Sequence, residues 1–193
     1  MARKGLTAER VVQAGAELAD QVGFDQVTPS ALARHVGIQV ASLYAHVRNA
    51  DDLRTRIALR ALAEMADRGA EALAGRAGKA ALIALGDTYR DYAREHPGRY
   101  AAAQLRLDHE TALGSAGPRH SAMIRAILRG YHLTEPDQTH AVRLIGSAFH
   151  GFIAQELGGG FDHSQPGPQQ SWERILDALD ALLRHWPDSG ETS

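Results

Sequence analysis

Ser42, Tyr44 and His46 place a hydroxyl, a phenol and an imidazole within five residues of a 193-residue chain. Such groups donate to phosphate oxygens, which position a protein on a nucleic acid without reading its sequence. Just before them stands Gln39, whose amide can pair with both edge atoms of an adenine, while Val40 and Ala41 can touch a thymine methyl group. Thr28 and Ser30 stand at the start of a helix, where the dipole favours an anion. Arg3 and Lys4 can grip a phosphate backbone from an N-terminal arm. Each residue has a plainer use as well. Tyr44 can pack against the first helix, His46 can be a solvated surface group, Gln39 can face water, and Thr28 can be a helix cap.

These side chains need helices to hold them. The first is expected over 8–22, capped by Thr7, with Leu6 and Val11 as a hydrophobic staple and Val11, Ala14, Leu18 and Val22 along one face. Gly23 ends it, and Phe24 and Val27 plug the connection. Thr28 caps the second, with Pro29 at its first position and Leu32, Ala33 and Val36 inward; Gly37 closes it in a left-handed turn. The third is short, about 40–46, and anchored by Leu43 and Val47. Asn49 caps the fourth, expected to run to about 74, with Asp51 and Asp52 at its positive end and Leu53, Ile57, Leu62 and Met65 inward.

Beyond a glycine-marked break at 75–78, a fifth helix carries Leu82, Leu85, Tyr89, Tyr92 and His96 on one stripe and is expected to stop at Pro97-Gly98. A short helix over 100–105, a loop over 108–118 and a helix over 119–130 follow. Pro136 opens a helix to about 157, with Val142, Ile145, Phe149, Phe152 and Ile153 inward. Gly146, Ala148, Gly151 and Ala154 leave room on it for close helix approach. The segment 158–170 reads as a mobile loop, after which Ser171 caps a last helix. That helix is apolar at Trp172, Ile175, Leu176, Leu179, Leu182, Leu183 and Trp186, a stripe broad enough for a four-helix dimer interface. The residues assigned to that interface are Ile145, Phe149, Ile153, Trp172, Ile175, Leu176, Leu179 and Leu183; the alternative is that both helices cover their own domain.

Residues 6–54 resemble the DNA-binding domain of the TetR family of transcriptional repressors. The likeness rests on Leu32-Ala33, the Gly37 turn, Leu43-Tyr44, His46-Val47 and Leu53 at the family's spacing. It implies a helix-turn-helix head, a homodimer and a pseudo-palindromic DNA operator with one recognition helix per half-site. The chain departs from the family at Ala50, where a phosphate-contacting lysine is common, leaving Arg48 as the substitute. It departs again at Gln39, where a capping serine or threonine is usual. Family members bind an inducer in the C-terminal domain. The amphipathic faces here nominate Tyr89, Tyr92, His96, Tyr100, Gln104, His120, Met123, Ile127, Phe149 and Phe152 as pocket residues, with core packing as the alternative for each. Phe149-His150-Gly151-Phe152 and Leu157-Gly158-Gly159-Gly160-Phe161 resemble a subgroup with a Trp-His-Gly-like signature.

The composition sets limits. The chain is alanine-rich and poor in runs of β-branched residues, so the expected fold class is all-α. The family resemblance implies a three-helix N-terminal head over 1–50 and a larger helical ligand-binding and dimerisation domain over 51–186, and the residues over 187–193 are expected to be a flexible tail. The absence of cysteine excludes disulfides and thiolate metal sites. No apolar run is long enough to span a bilayer and the N-terminus has no signal-peptide pattern, so a cytoplasmic location without membrane contact is expected. Residues 1–56 hold seven Lys/Arg and six Asp/Glu, a small surplus that predicts modest non-specific DNA affinity and a shallow salt dependence.

Ten histidines keep an enzyme reading open. It would be a helical small-molecule-binding or metal-dependent enzyme whose helix-turn-helix does not bind DNA. No His-Glu-x-x-His, Gly-x-Ser-x-Gly or phosphate-loop pattern supports it, and Asp108-His109-Glu110 lacks helical ligand spacing. A structural module whose helix-turn-helix pairs with protein is a third reading. The expectation is therefore a non-enzymatic, ligand-responsive regulator, most simply a repressor, with no cofactor and no metal. An activator is compatible with the same residues.

Overall fold

A computed structural model describes residues 6–187 and contains only helices and connections among them. The chain packs as two compact units. One comprises the residues up to Asp67 together with Asp91–Pro118; the other comprises Arg68–Arg90 and the chain from Arg119 onward. This differs from a contiguous division at residue 50, because α6 (Pro97–Ala103) packs against α1 (Ala8–Val22) and carries the end of α5 (Gly78–Glu95) with it. Three helices, α4 (Ala50–Leu73), α5 and α8 (Gly117–Leu128), have residues in both units.

In the first unit, α1 (Ala8–Val22) starts where the Thr7 hydroxyl accepts from Arg10 N–H at 3.2 Å. α2 (Pro29–Val36) starts where Thr28 Oγ1 accepts from Ala31 N–H at 3.1 Å. Gly37 ends it with φ +72°, the left-handed value glycine adopts at little cost. The regular turn of α3 is confined to Val40–Leu43; the residues to His46 continue as a turn, so this helix is shorter than expected. α4 (Ala50–Leu73) is capped by Asn49 Oδ1, which accepts from Asp52 N–H at 2.8 Å. Val11, Ala16, Leu32, Leu43, Val47, Leu53 and Ile57 close the core of the head.

Three expectations for this unit change. Pro97 does not merely stop α5 (Gly78–Glu95); it opens α6 (Pro97–Ala103), since a proline at the first helical turn loses no hydrogen bond. Gly98 is required there, because a Cβ would stand 1.9 Å from Ala19 O. The expected loop over 108–118 contains α7 (His109–Gly114), started by the Asp108 carboxylate accepting from Thr111 N–H at 3.0 Å and Thr111 Oγ1 at 2.6 Å. The acid that looked like part of a loop cluster is a helix cap.

The second unit holds α8 (Gly117–Leu128), α9 (Asp137–Leu157) and α10 (Pro168–Arg184) with the first part of α5. α10 begins at Pro168, so Ser171 lies inside its first turn and does not cap it. Between α9 and α10 the chain makes successive turns, with Gly160 N–H bonded to Gln155 O and the Phe161 ring tilted against Phe152, centroids 4.9 Å apart. The centre of the unit is Phe149 on Trp172, ring centroids 5.5 Å apart. Gly86 faces both at van der Waals limits, since a Cβ there would lie 3.0 Å from each ring.

Candidate nucleic-acid interface

The candidate reading surface of the head is one short helix anchored from beneath. Leu43 is fully buried and Val47 nearly so, while the next residue to Leu43, Tyr44, leaves 51% of its surface open. A phenol this exposed is not held by the packing alternative against α1. Ala41 and Ser42 are exposed, Gln39 is exposed and makes no side-chain capping bond, and Val40 is half-buried against the head core. Thr28 and Ser30 stand exposed at the start of α2, and the Thr28 hydroxyl serves as a cap there. His46 is half-buried. Arg3 and Lys4 lie outside the described residues.

Asp52 braces the turn that follows this helix. Its buried carboxylate accepts from Arg48 N–H at 2.9 Å and from the Arg48 and Arg56 guanidinium groups, each at 3.1 Å. Arg56 in turn donates to His46 O at 3.2 Å, giving a partner to a carbonyl of the turn after the helix. Burial pushes the Asp52 carboxyl up, but these hydrogen bonds and the Arg56 charge outweigh it and hold the group below its ordinary value. The Arg48 side chain stays 83% exposed while paired, so it can still present charge to a phosphate beside the Ala50 gap.

Most head cations are already occupied. Arg54 bonds Phe24 O and Asp25 and lies over the Phe24 ring at 4.0 Å. Arg34 was missed by sequence reasoning. It is exposed, makes no ion pair among the described residues, and lines one depression with Gln39 and Ser42. The signal was available: Arg34 lies one helical turn beyond Ser30 on the same side of α2.

The residues nominated for a ligand pocket fall in both units. In the second, Tyr89 meets His120 edge-on with ring centroids 5.4 Å apart, its hydroxyl hydrogen-bonded to His120 Nδ1. It also meets Phe149 at 6.4 Å and stacks on His150 at 6.3 Å. Burial first, and then the neighbouring His120, push the His150 imidazole below its ordinary value. Met123 closes over Gly69, Ile127 is buried, and Phe152 packs on Trp172 at 5.0 Å. In the first unit, the Tyr92 hydroxyl donates to Glu64 at 3.0 Å and its ring meets His96 at 5.2 Å. His96 and Arg99 both pair with Asp20, at 3.1 and 3.0 Å. Tyr100 is buried and Gln104 exposed. Among the described residues, no group of three histidines or carboxylates is placed to hold a metal.

The interface candidates are placed inward. Ile145, Phe149, Ile153, Trp172, Leu176, Leu179 and Leu183 are core in a single chain, and only Ile175 is partly open. Tertiary packing within the unit uses most of the broad stripe that looked like a surface. The small and apolar residues that α9 and α10 leave exposed are Gly151, Ala154 and Leu157 on α9, and Ala178, Ala181 and Leu182 on α10. Nothing stands within 4 Å of a Cβ added at Gly146 or Gly151.

An all-helical fold with an exposed, braced recognition helix defines a helix-turn-helix DNA-binding protein. Comparison with known proteins gives the family. Residues 11–57 match the model of the bacterial regulatory proteins of the tetR family, and residues 82–179 match the tetracyclin repressor-like C-terminal domain. The uncharacterized HTH-type transcriptional regulator YobS of Bacillus subtilis is 31% identical over 182 residues, covering 94% of this chain and 91% of that one. The uncharacterized HTH-type transcriptional regulator Rv0681 of Mycobacterium tuberculosis is 32% identical over 164 residues, covering 81% and 73%. The chain therefore belongs to the TetR family of transcriptional regulators.

Solved structures agree on the fold. TetR-Q116A from Acinetobacter baumannii, solved in complex with minocycline, superposes with a TM-score of 0.69 at 20% identity, covering 94% of this chain and 98% of that one. The TetR-family regulator PfmR of Thermus thermophilus gives 0.65 at 23% identity, covering 96% and 100%. No helix among the described residues is long and apolar enough to cross a membrane.

Proposed function

We propose that this regulator is a homodimeric repressor of a pseudo-palindromic operator, released when a hydrophobic or aromatic small molecule occupies its C-terminal domain. The observation that carries the DNA half is Tyr44, 51% exposed beside the fully buried Leu43. Exposing an aromatic ring to water has no stabilising purpose in the free head, and its hydroxyl suits a phosphate. Gln39, Val40, Ala41 and Ser42 meet base edges; Tyr44, His46, Arg48, Thr28 and Ser30 position the head on the backbone. Arg34 joins Gln39 and Ser42, and Arg3 and Lys4 act from the arm.

The dimer forms through the uncovered faces of α9 and α10. Ile175 and Leu182 on one helix meet the small residues at 146, 151 and 154 on the other, in a four-helix arrangement. The effector site draws on Tyr89, His120, Met123, Ile127, Phe149 and Phe152 of the second unit. Because α4 is one continuous helix from Ala50 to Leu73, an effector that favours a different placement of α4 changes the spacing of the two recognition helices. Such a protein works on DNA, in the cytoplasm.

Selection of bound sequences from random DNA tests the first half. An inverted repeat is expected, with binding at least ten-fold weaker for Tyr44→Ala with His46→Ala. Selection of no sequence, or retention by that double variant equal to the parent, refutes groove docking. A ligand screen scored on release from the selected site tests the second half; a ligand that stabilises the protein without changing operator affinity refutes the switch.

A further inference from the structure

We propose that the cavity at the turn between α4 and α5 is a separate small-molecule site that takes an amphipathic anion, a carboxylate carried on a hydrocarbon chain. The cavity has a volume of about 430 Å³, within the range of small-molecule sites. Its apolar surface comes from Leu73, Ala77, Ala81, Ala126 and Ile127, of which Ala81 and Ile127 are buried. Three alanines here leave the volume that longer side chains would fill.

The polar part has one sign. Arg76 and Arg129 line the cavity and no carboxylate does. Arg76 is folded back to donate to Ala72 O at the end of α4, which leaves further N–H groups of its planar fork unused by that bond. Arg129 makes no ion pair among the described residues. Two guanidinium groups beside an apolar floor complement a carboxylate with an attached alkyl chain, because the fork binds carboxylate through paired hydrogen bonds while each buried methylene strengthens binding roughly four-fold. The backbone around the cavity is also specified. Gly75 and Gly78 take φ of +71° and +54°, and a Cβ at Gly130 would press to 3.3 Å from Gly78 Cα.

This site does not depend on the effector reading, although Ile127 was nominated for both. The test is calorimetric titration of the full chain with sodium decanoate below its micelle concentration. One saturable site per chain is expected. Decanol and decyltrimethylammonium should bind at least ten-fold more weakly, and octanoate, two methylenes shorter, roughly 15-fold more weakly. Arg76→Ala with Arg129→Ala should weaken decanoate at least ten-fold with unchanged helical signal. Ala126→Phe should block binding, and hydrogen exchange should slow at 73–81 and 126–130 when decanoate is added. The inference is overturned if no saturable binding occurs, if decanol binds as well as decanoate, if the arginine pair variant binds like the parent, or if protection appears elsewhere. Should Ala126→Phe fail to fold, the arginine variant decides. Phosphatidylglycerol vesicles separate a free acid from a membrane lipid: binding to vesicles through these arginines without binding to decanoate overturns the proposal.

Discussion

The two units distribute their polar chemistry in opposite ways. The head presents Tyr44, Ser42, Gln39 and Arg34 outward from an apolar core, and none of these side chains is needed to close that core. The second unit turns its strongest polar groups inward. Arg90 is 2% exposed, donates to both Glu156 oxygens at 2.6 and 2.8 Å and to Gln169 at 2.7 Å, and stands 5.4 Å from the Trp172 ring. Trp172 Nε1 donates to Asp87 at 2.7 Å, and the Tyr131 hydroxyl donates to Asp180 at 2.8 Å. A surface for a charged partner is therefore separable from stability in one unit, whereas in the other the polar groups fix how the helices pack.

The largest effect should come from breaking the inward chemistry. Glu156→Ala leaves a buried guanidinium without its carboxylate and should cost about 3 kcal/mol or more, read as a lowered urea midpoint. A cost below about 1 kcal/mol would show that Gln169 and the aromatic rings suffice for Arg90. Gly98→Ala should come next, at about 1–3 kcal/mol, because its new methyl meets backbone at Ala19 that cannot turn aside. Tyr44→Ala should sharpen the contrast from the other side: a stability change within about 0.5 kcal/mol and an operator affinity about ten-fold lower by fluorescence anisotropy. A large loss of thermal stability would mean that the ring serves the fold.

Two pH profiles extend the comparison. The folded Asp52 carboxyl lies below its ordinary value of 3.8. Its stabilisation is therefore full above that pH and is lost as pH falls through the lower folded value. Asp52→Asn should be less stable than the parent at neutral pH, with the gap closing only below about pH 3.8 in acid titrations followed by circular dichroism. His150 gives the smallest effect. Its folded value lies below 6.5, so the unfolded chain takes up a proton first and stability should decline as pH drops beneath that point. His150→Gln should flatten that decline.

The head was legible because its signals are local. Thr28-Pro29, Gly37 and Asn49 each act within four residues, and Thr28 and Asn49 bond as caps exactly where a hydroxyl or amide reaches the first free N–H groups. The same locality could have revealed α7, since Asp108 caps it by the same three-residue reach; the nearby glycines and proline outweighed that signal. The Asp52 brace was half legible. Its place at the helix start was readable, but Arg56 reaching back to His46 O requires the fold of the turn.

The second unit was legible only as helices. A stripe such as Trp172, Leu176, Leu179 and Leu183 states that a face is apolar, and says nothing about whether its cover is the same chain or another. Phe149, 23 residues before Trp172 in the chain, provides that cover.

The sequence by itself determined the all-helical class, the helix-turn-helix scaffold and the polar composition of its reading surface, because caps, glycine turns and 3.6-residue periodicity are properties of neighbouring residues. Only the tertiary structure decided that Tyr44 faces water, that Asp52 ties Arg48 to Arg56 in the turn after α3, that most of the broad stripe of α10 is core, and that Arg76 and Arg129 share one cavity. Those outcomes depend on which distant helices meet, and side chains far apart in the chain carry no local signal of their partners.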